Sequence, residues 1–160
     1  MLANELRPGN QHSAKGAVEF VSRCIRNARK VGVPAEKLLL RMDSGHDDRN
    51  LLETLCKSGV NFLIKRNLRS ESREQYLAIA RRCGEKISSR DGKNVYRCTL
   101  SHRKPSGLKD MPLFMIVEVT ERLTWADGQE LLIPEVEVSA WWTNLPESET
   151  VCIELYRAHA

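Results

Sequence analysis

Leu38-Leu39-Leu40-Arg41-Met42 reads as a short buried strand, and it delivers Asp43-Ser44-Gly45-His46-Asp47. An apolar run of this length, bounded by turn residues, predicts a strand with both faces packed. What comes on either side sets the fold. Met1 to Leu6 reads as a strand ended by the turn cluster Arg7-Pro8-Gly9-Asn10. Ser13 is the expected N-cap of a helix with apolar residues Ala17, Val21, Cys24, Ala28 and Val31 at spacings of three and four. Gly32 supplies a left-handed C-terminal turn and Pro34 prevents continuation. Asp47 or Asp48 caps a second helix carrying Leu51, Leu52 and Leu55 and closed by Gly59, and Val60 to Lys65 is a third strand. The order β-α-β-α-β predicts parallel pairing of the last two strands, with Asp43 at a carboxyl end, where reactive side chains collect in such sheets.

After Arg69 the texture changes. Ser72-Arg73-Glu74-Gln75 has capping-box spacing and opens a helix that Gly84 closes. Two hairpins follow. Lys86–Ser89 and Asn94–Cys98 flank a turn at Asp91-Gly92, and Leu113–Thr120 and Glu130–Thr143 flank one at Asp127-Gly128. Pro134 predicts an edge or a bulge in the last strand. Pro146-Glu147-Ser148-Glu149 starts a final helix, with acids at its positive end, and the chain reaches Ala160 within its first few turns.

Composition narrows the function classes. With 160 residues, 41% hydrophobic and 29% charged, the chain is large enough for one ordinary core. No apolar stretch approaches membrane-spanning length, and Met1-Leu2-Ala3-Asn4-Glu5 has no basic, signal-like start, so a cytoplasmic protein without a membrane partner is expected. Five scattered cysteines without a Cys-x-x-Cys pair predict reduced thiols packed on helix faces. The net charge of +4 is unevenly spread. Lys57–Lys104 holds 13 Lys/Arg against 4 Asp/Glu, a balance of +9, whereas 105–160 holds 3 against 10, a balance of −7. A basic middle suits phosphate contacts, although a solvated face has the same composition.

Asp43 is the leading candidate for chemistry, because a carboxylate ending a buried strand must be paired, hydrogen-bonded or bound to metal. A turn or capping role is the alternative. Asp47 is expected to cap rather than to ligate. Asp43-Ser44-Gly45 also matches the aspartic-protease triplet, but that site needs an all-β barrel and an apolar residue after the glycine. His46-Asp47 could suggest a His-Asp phosphohydrolase, yet His12, His46, His102 and His159 share no ligand spacing. Trp141 and Trp142 should point to opposite faces of a strand. One is expected in the core; the other could be exposed enough to stack on a base.

Glu5-Leu6-Arg7-Pro8-Gly9-Asn10-Gln11-His12-Ser13, Arg41-Met42-Asp43-Ser44-Gly45, Phe62-Leu63-Ile64-Lys65-Arg66-Asn67-Leu68-Arg69 and Glu154-Leu155-Tyr156-Arg157 together resemble bacterial insertion-sequence transposases of the DDE class. The resemblance is to the branch with a Tyr-Arg-Glu-Lys signature. It implies an α/β fold in which 1–69 is part of a ribonuclease H-like core, 70–145 an α/β-hairpin insertion subdomain, and 146–160 the start of the last catalytic helix. It implies that Asp43 is the second acid of the Asp-Asp-Glu set and a metal ligand, and that Tyr156 and Arg157 open the signature. Arg157 would contact phosphate or position the glutamate, and Lys65, Arg66, Arg69 and Trp142 would contact DNA. By the same resemblance the first Asp lies before Met1 and the Glu beyond Ala160. The intact enzyme would use two Mg²⁺ or Mn²⁺ ions for strand cleavage and strand transfer, working as a homodimer on transposon ends and target DNA. A central fragment would bind no metal stably and be inactive alone. The rival expectation is a non-catalytic DNA-binding remnant.

Overall fold

In the computed structural model the described residues are 15–69, 71–125 and 128–158. The expected first strand, Met1 to Leu6, and the expected cap Ser13 lie outside them. Helix α1 spans Ala17–Lys30, with Gly16 at its N-cap position in the left-handed region at φ 74°. Ala17, Val21 and Ala28 of the expected stripe are buried, but Ile25 takes the place of Cys24 and Val31 is exposed; Gly32 (φ 82°) turns the chain out of the helix as expected.

Strand β1 (Leu39–Met42) and strand β2 (Asn61–Lys65) pair in parallel, Leu40 opposite Phe62 and Met42 opposite Ile64. Helix α2 (Arg49–Ser58) connects them. Its N-cap is Asp48, which accepts from the Asn50 and Leu51 amides at 2.9 and 3.0 Å, so the capping role falls to Asp48 and not to Asp47. Helix α3 (Arg73–Cys83) begins at Ser72, whose hydroxyl accepts from Gln75 N. The hairpins appear where the Asp-Gly signals put them: β3 (Glu85–Arg90) with β4 (Lys93–Leu100), then β5 (Phe114–Thr124) with β6 (Glu130–Thr143). Helix α4 (Glu149–Arg157) is capped by Ser148.

The six strands among the described residues form one sheet in the order β1-β2-β6-β5-β4-β3. The join between its parallel and antiparallel halves is β6 on β2, with Leu63 opposite Thr143 and Lys65 opposite Trp141. Thr143 and Asn144 clamp that join through side chains: the Thr143 hydroxyl donates to Phe62 O, and Asn144 bonds Val60 O and Phe62 N. Only the last three residues of β6 pair with β2; along its earlier part β6 pairs with β5 alone. Pro134 sits there, within the register irregularity opposite Arg122–Thr124, in keeping with its missing amide hydrogen.

Strand alternation sends side chains to two different layers. One face, with Phe62, Ile64, Met115, Val117, Val119, Ala140 and Trp142, packs under α1, α2 and α3 in the main core. The other carries Leu63, Ile116 and Trp141 under Cys152 and Ile153 of α4. β1 departs from expectation. It is the outer strand of the sheet among the described residues, and Leu39 is exposed while Leu40 and Met42 are only partly covered. The apolar run therefore marks a strand whose two faces are not both packed by these residues.

Candidate active site

Asp43 leaves the carboxyl end of β1 as the N-cap of a short 3-10 turn, Ser44–His46. Its Oδ1 accepts from the Gly45 amide at 3.1 Å and lies 2.9 Å from His46 Nδ1. The His46 hydrogen bond is the main reason its carboxyl group titrates below the ordinary range; slight burial opposes this, and the Gly45 amide adds to it. The side chain is nonetheless 74% exposed. The result is an ionised carboxylate, oriented from one side and open on the other.

The last turn of α4 is fastened beside it. Arg41 is the one polar residue in the apolar run and lies two positions before Asp43. It donates to the carbonyls of Leu155 and Tyr156 at 2.9 and 3.2 Å, which satisfies groups a helix end leaves unpaired. The Tyr156 hydroxyl donates to Met42 O at 3.3 Å, and its ring meets Trp141 at 5.7 Å between centroids. Burial raises the Tyr156 phenol first, and the charge of Asp43 raises it further, while Arg41 works the other way. Asp43 and Tyr156 are thus brought together at the described end of α4.

Arg157 goes elsewhere. Its guanidinium reaches Glu118 Oε1 at 2.5 Å on β5, and Arg97 holds the other oxygen at 2.8 Å while also donating to Thr150. Glu118 is buried, so the two arginines compensate a charge that would otherwise be costly. In this structure Arg157 anchors α4 to the antiparallel half of the sheet.

The expected DNA-contacting residues separate. Lys65 and Arg69 are exposed. Arg66 is partly buried: it is paired with Glu71 at 2.5 Å, donates to Tyr76 Oη, and stacks over Trp142 with its guanidinium carbon 4.9 Å from the ring centre. The tryptophans do point to opposite faces, but both are 3% exposed. Trp142 therefore offers little ring surface for stacking on a base, and Arg66 lies over its ring.

Sequence reasoning missed Asp47. One of its oxygens accepts from Trp142 Nε1 and the other from the Asn67 amide, each at 2.9 Å. The carboxylate therefore ties the loop after Asp43 to the ends of β2 and β6. No short-range pattern announces this, since Trp142 is 95 positions away. Arg41 did have a signal, alternation with Asp43 on one strand. Among the described residues no group of three or more His, Cys, Asp or Glu could hold a metal ion, and no helix is long and apolar enough to cross a membrane.

A family model described as the transposase DDE domain matches residues 1–155. No curated protein matches the chain. A solved structure, the crystal structure of a S-adenosylmethionine-dependent methyltransferase from Clostridium acetobutylicum ATCC 824, is similar at 12% identity with a TM-score of 0.25. That match covers 88% of this chain and 59% of the other. So slight a likeness bears on neither fold nor function.

Proposed function

Because the chain belongs to the transposase DDE domain family, we propose that it is the central part of a DNA transposase of the Tyr-Arg-Glu-Lys branch and that Asp43 is one carboxylate of its acid set. The observation that carries this is the exposed, ionised Asp43 at the carboxyl end of a parallel strand, beside the fastened last turn of α4. In this reading β1, α2 and β2 are part of a ribonuclease H-like core, residues 70–145 are the insertion, and α4 is the start of the last catalytic helix. The partner is DNA, at transposon ends and target, with the intact enzyme acting as a homodimer.

The reaction class is phosphodiester hydrolysis that frees a 3′-hydroxyl, followed by attack of that hydroxyl on a target phosphodiester, which joins the strands as the target's own 3′-oxygen leaves as a hydroxyl. The family chemistry calls for Mg²⁺ or Mn²⁺. The described residues do not fit a two-cation centre, which needs several carboxylates. What they supply is one hard oxygen donor held in place by Gly45 and His46. Arg41 and Tyr156 fasten the described end of α4 beside it, which supports placing the glutamate of the acid set near Asp43. Lys65 and Arg69 follow the DNA backbone.

The same shortage of donors favours a second reading, a DNA-binding remnant without chemistry. Backbone amide spectra of the purified chain titrated with Mn²⁺ separate the two. The transposase reading expects weak, selective broadening at Asp43–His46 and Tyr156 that Asp43→Asn abolishes. Broadening centred elsewhere, or unchanged in the variant, would remove Asp43 from the site and leave the remnant reading, in which DNA binding is indifferent to Mg²⁺.

A further inference from the structure

On the other side of the Asp43–Asp48 loop lies a cavity of about 430 Å³, floored by Trp142 and walled by α2 and the loop from Arg103 to Pro105. We infer that this cavity is a phosphate-binding pocket, in which Arg49 and Arg103 grip the phosphate oxygens and Lys104 adds a third positive charge.

Charge balance is the first ground. Four cations line the cavity, Arg49, Arg66, Arg103 and Lys104, against two carboxylates, Asp47 and Glu71. Both carboxylates are spent on protein groups. Asp47 receives the Trp142 indole and the Asn67 amide; Glu71 receives Arg66 and the Tyr76 hydroxyl. The lining carries two more positive than negative charges, with Glu53 one helical turn from Arg49 as a further carboxylate nearby, and an anion is what such a partly enclosed basic space attracts.

Geometry is the second. Lys104, a residue of the lining, has its Nζ fixed by the carbonyls of Lys109 and Met111 at 3.0 and 2.7 Å, which keeps the ammonium in place and leaves it one further donor. Arg103 lies over the Tyr76 ring with its guanidinium carbon 5.3 Å from the centre, and its contact with Glu71 is only 4.0 Å. Arg49 brings Nη2 up to the loop at Gly107, where a side-chain carbon would come within 2.5 Å of it. Gly107, at φ 83°, both makes the turn and leaves the room that Arg49 occupies. Two planar guanidinium forks with donors to spare match tetrahedral phosphate oxygens better than they match a lone halide.

The phosphate could belong to a DNA backbone or to a small phosphorylated ligand. The pocket itself does not depend on the transposase reading, but the first of these sources does. The Trp142 indole N–H lies in the cavity wall and reports on it directly. In nitrogen-15 spectra of the purified chain, inorganic phosphate added at constant ionic strength should move the Trp142 indole signal saturably, leave Trp125 and Trp141 still, and do more than chloride. Arg49→Gln and Arg103→Gln should each weaken the response by about tenfold or more, and Lys65→Gln should not. Gly107→Ala, which displaces Arg49 without removing a charge, should weaken it as well.

A short DNA duplex that moves the same signal and competes with phosphate assigns the pocket to the DNA backbone. Phosphate binding that a bound duplex does not disturb assigns it to a small phosphorylated ligand. A wild-type titration in which phosphate does no more than chloride, or shifts that map away from Trp142, Arg103 and Lys104, overturns the pocket. DNA binding that persists in that case leaves the DNA reading intact.

Discussion

Asp47→Ala tests whether the loop carrying Asp43 is held by a side chain 95 positions away in sequence from its partner. The substitution removes two acceptors at once, from Trp142 Nε1 and from the Asn67 amide. Trp142 is 3% exposed, so its indole N–H would be left buried without a partner. An orphaned buried donor costs about 1–3 kcal/mol. The Asn67 amide is only partly buried, and water can replace its acceptor at a smaller cost. The expected loss is therefore about 2–4 kcal/mol, well above the ~0.5 kcal/mol typical of surface changes. Asp47→Asn keeps one acceptor oxygen and should lose about half as much. Urea unfolding is the assay, with a slope of about 1–3 kcal/mol per molar, so the midpoint should fall by about 1 M or more. Asp48→Ala, the neighbouring helix cap, is the comparison and should cost only about 1 kcal/mol. If Asp47→Ala were to unfold within 0.5 kcal/mol of the wild type, or leave the Trp142 indole signal unmoved, the bridge would carry no weight in the fold.

The chain alone should show no nicking of supercoiled DNA above background with Mg²⁺ or Mn²⁺. Metal-dependent nicking lost in Asp43→Ala would reveal a complete site built from residues not recognised here. DNA binding should be weak, insensitive to sequence and steeply weakened by salt, and Lys65→Glu with Arg69→Glu should weaken it for all sequences alike; affinity indifferent to salt would remove the basic track. Arg66→Glu should act on the fold instead, costing about 1–3 kcal/mol in urea unfolding, because it takes from Glu71 its nearest cation and adds a carboxylate beside it. Burial pushes the Cys98 and Cys152 thiols up to about 11. Both should resist a thiol reagent until the protein is unfolded, while exposed Cys83 reacts at once. Since the folded state raises these values, their stabilising contribution is full below the ordinary thiol range and fades as pH rises toward 11.

Local chemistry was legible in the sequence because it is decided within a few residues. The Asp-Gly turn made the β3–β4 hairpin, Gly32 and Gly59 ended their helices, and Ser72 and Ser148 capped theirs, each through backbone conformations or hydrogen bonds that span four positions at most. Parallel pairing of β1 with β2 also followed, because a connecting helix leaves little alternative. Asp43 could be singled out for the same reason, as the polar residue that ends an apolar strand.

What required the tertiary structure was the assignment of partners. Asp47 and Asp48 are the same residue type side by side, and only the position of Trp142 on β6 makes one a bridge while the other caps α2. Arg66 and Lys65 are adjacent cations, yet strand alternation and the placement of Glu71 turn one inward and leave the other in solvent. Arg157 looked like a site residue by its neighbour Tyr156, and the helical rotation between the two sends it to Glu118 instead. Charge and pattern in the sequence say which residues need a partner. Which partner each one finds depends on contacts made across the sheet, between positions that no local rule connects.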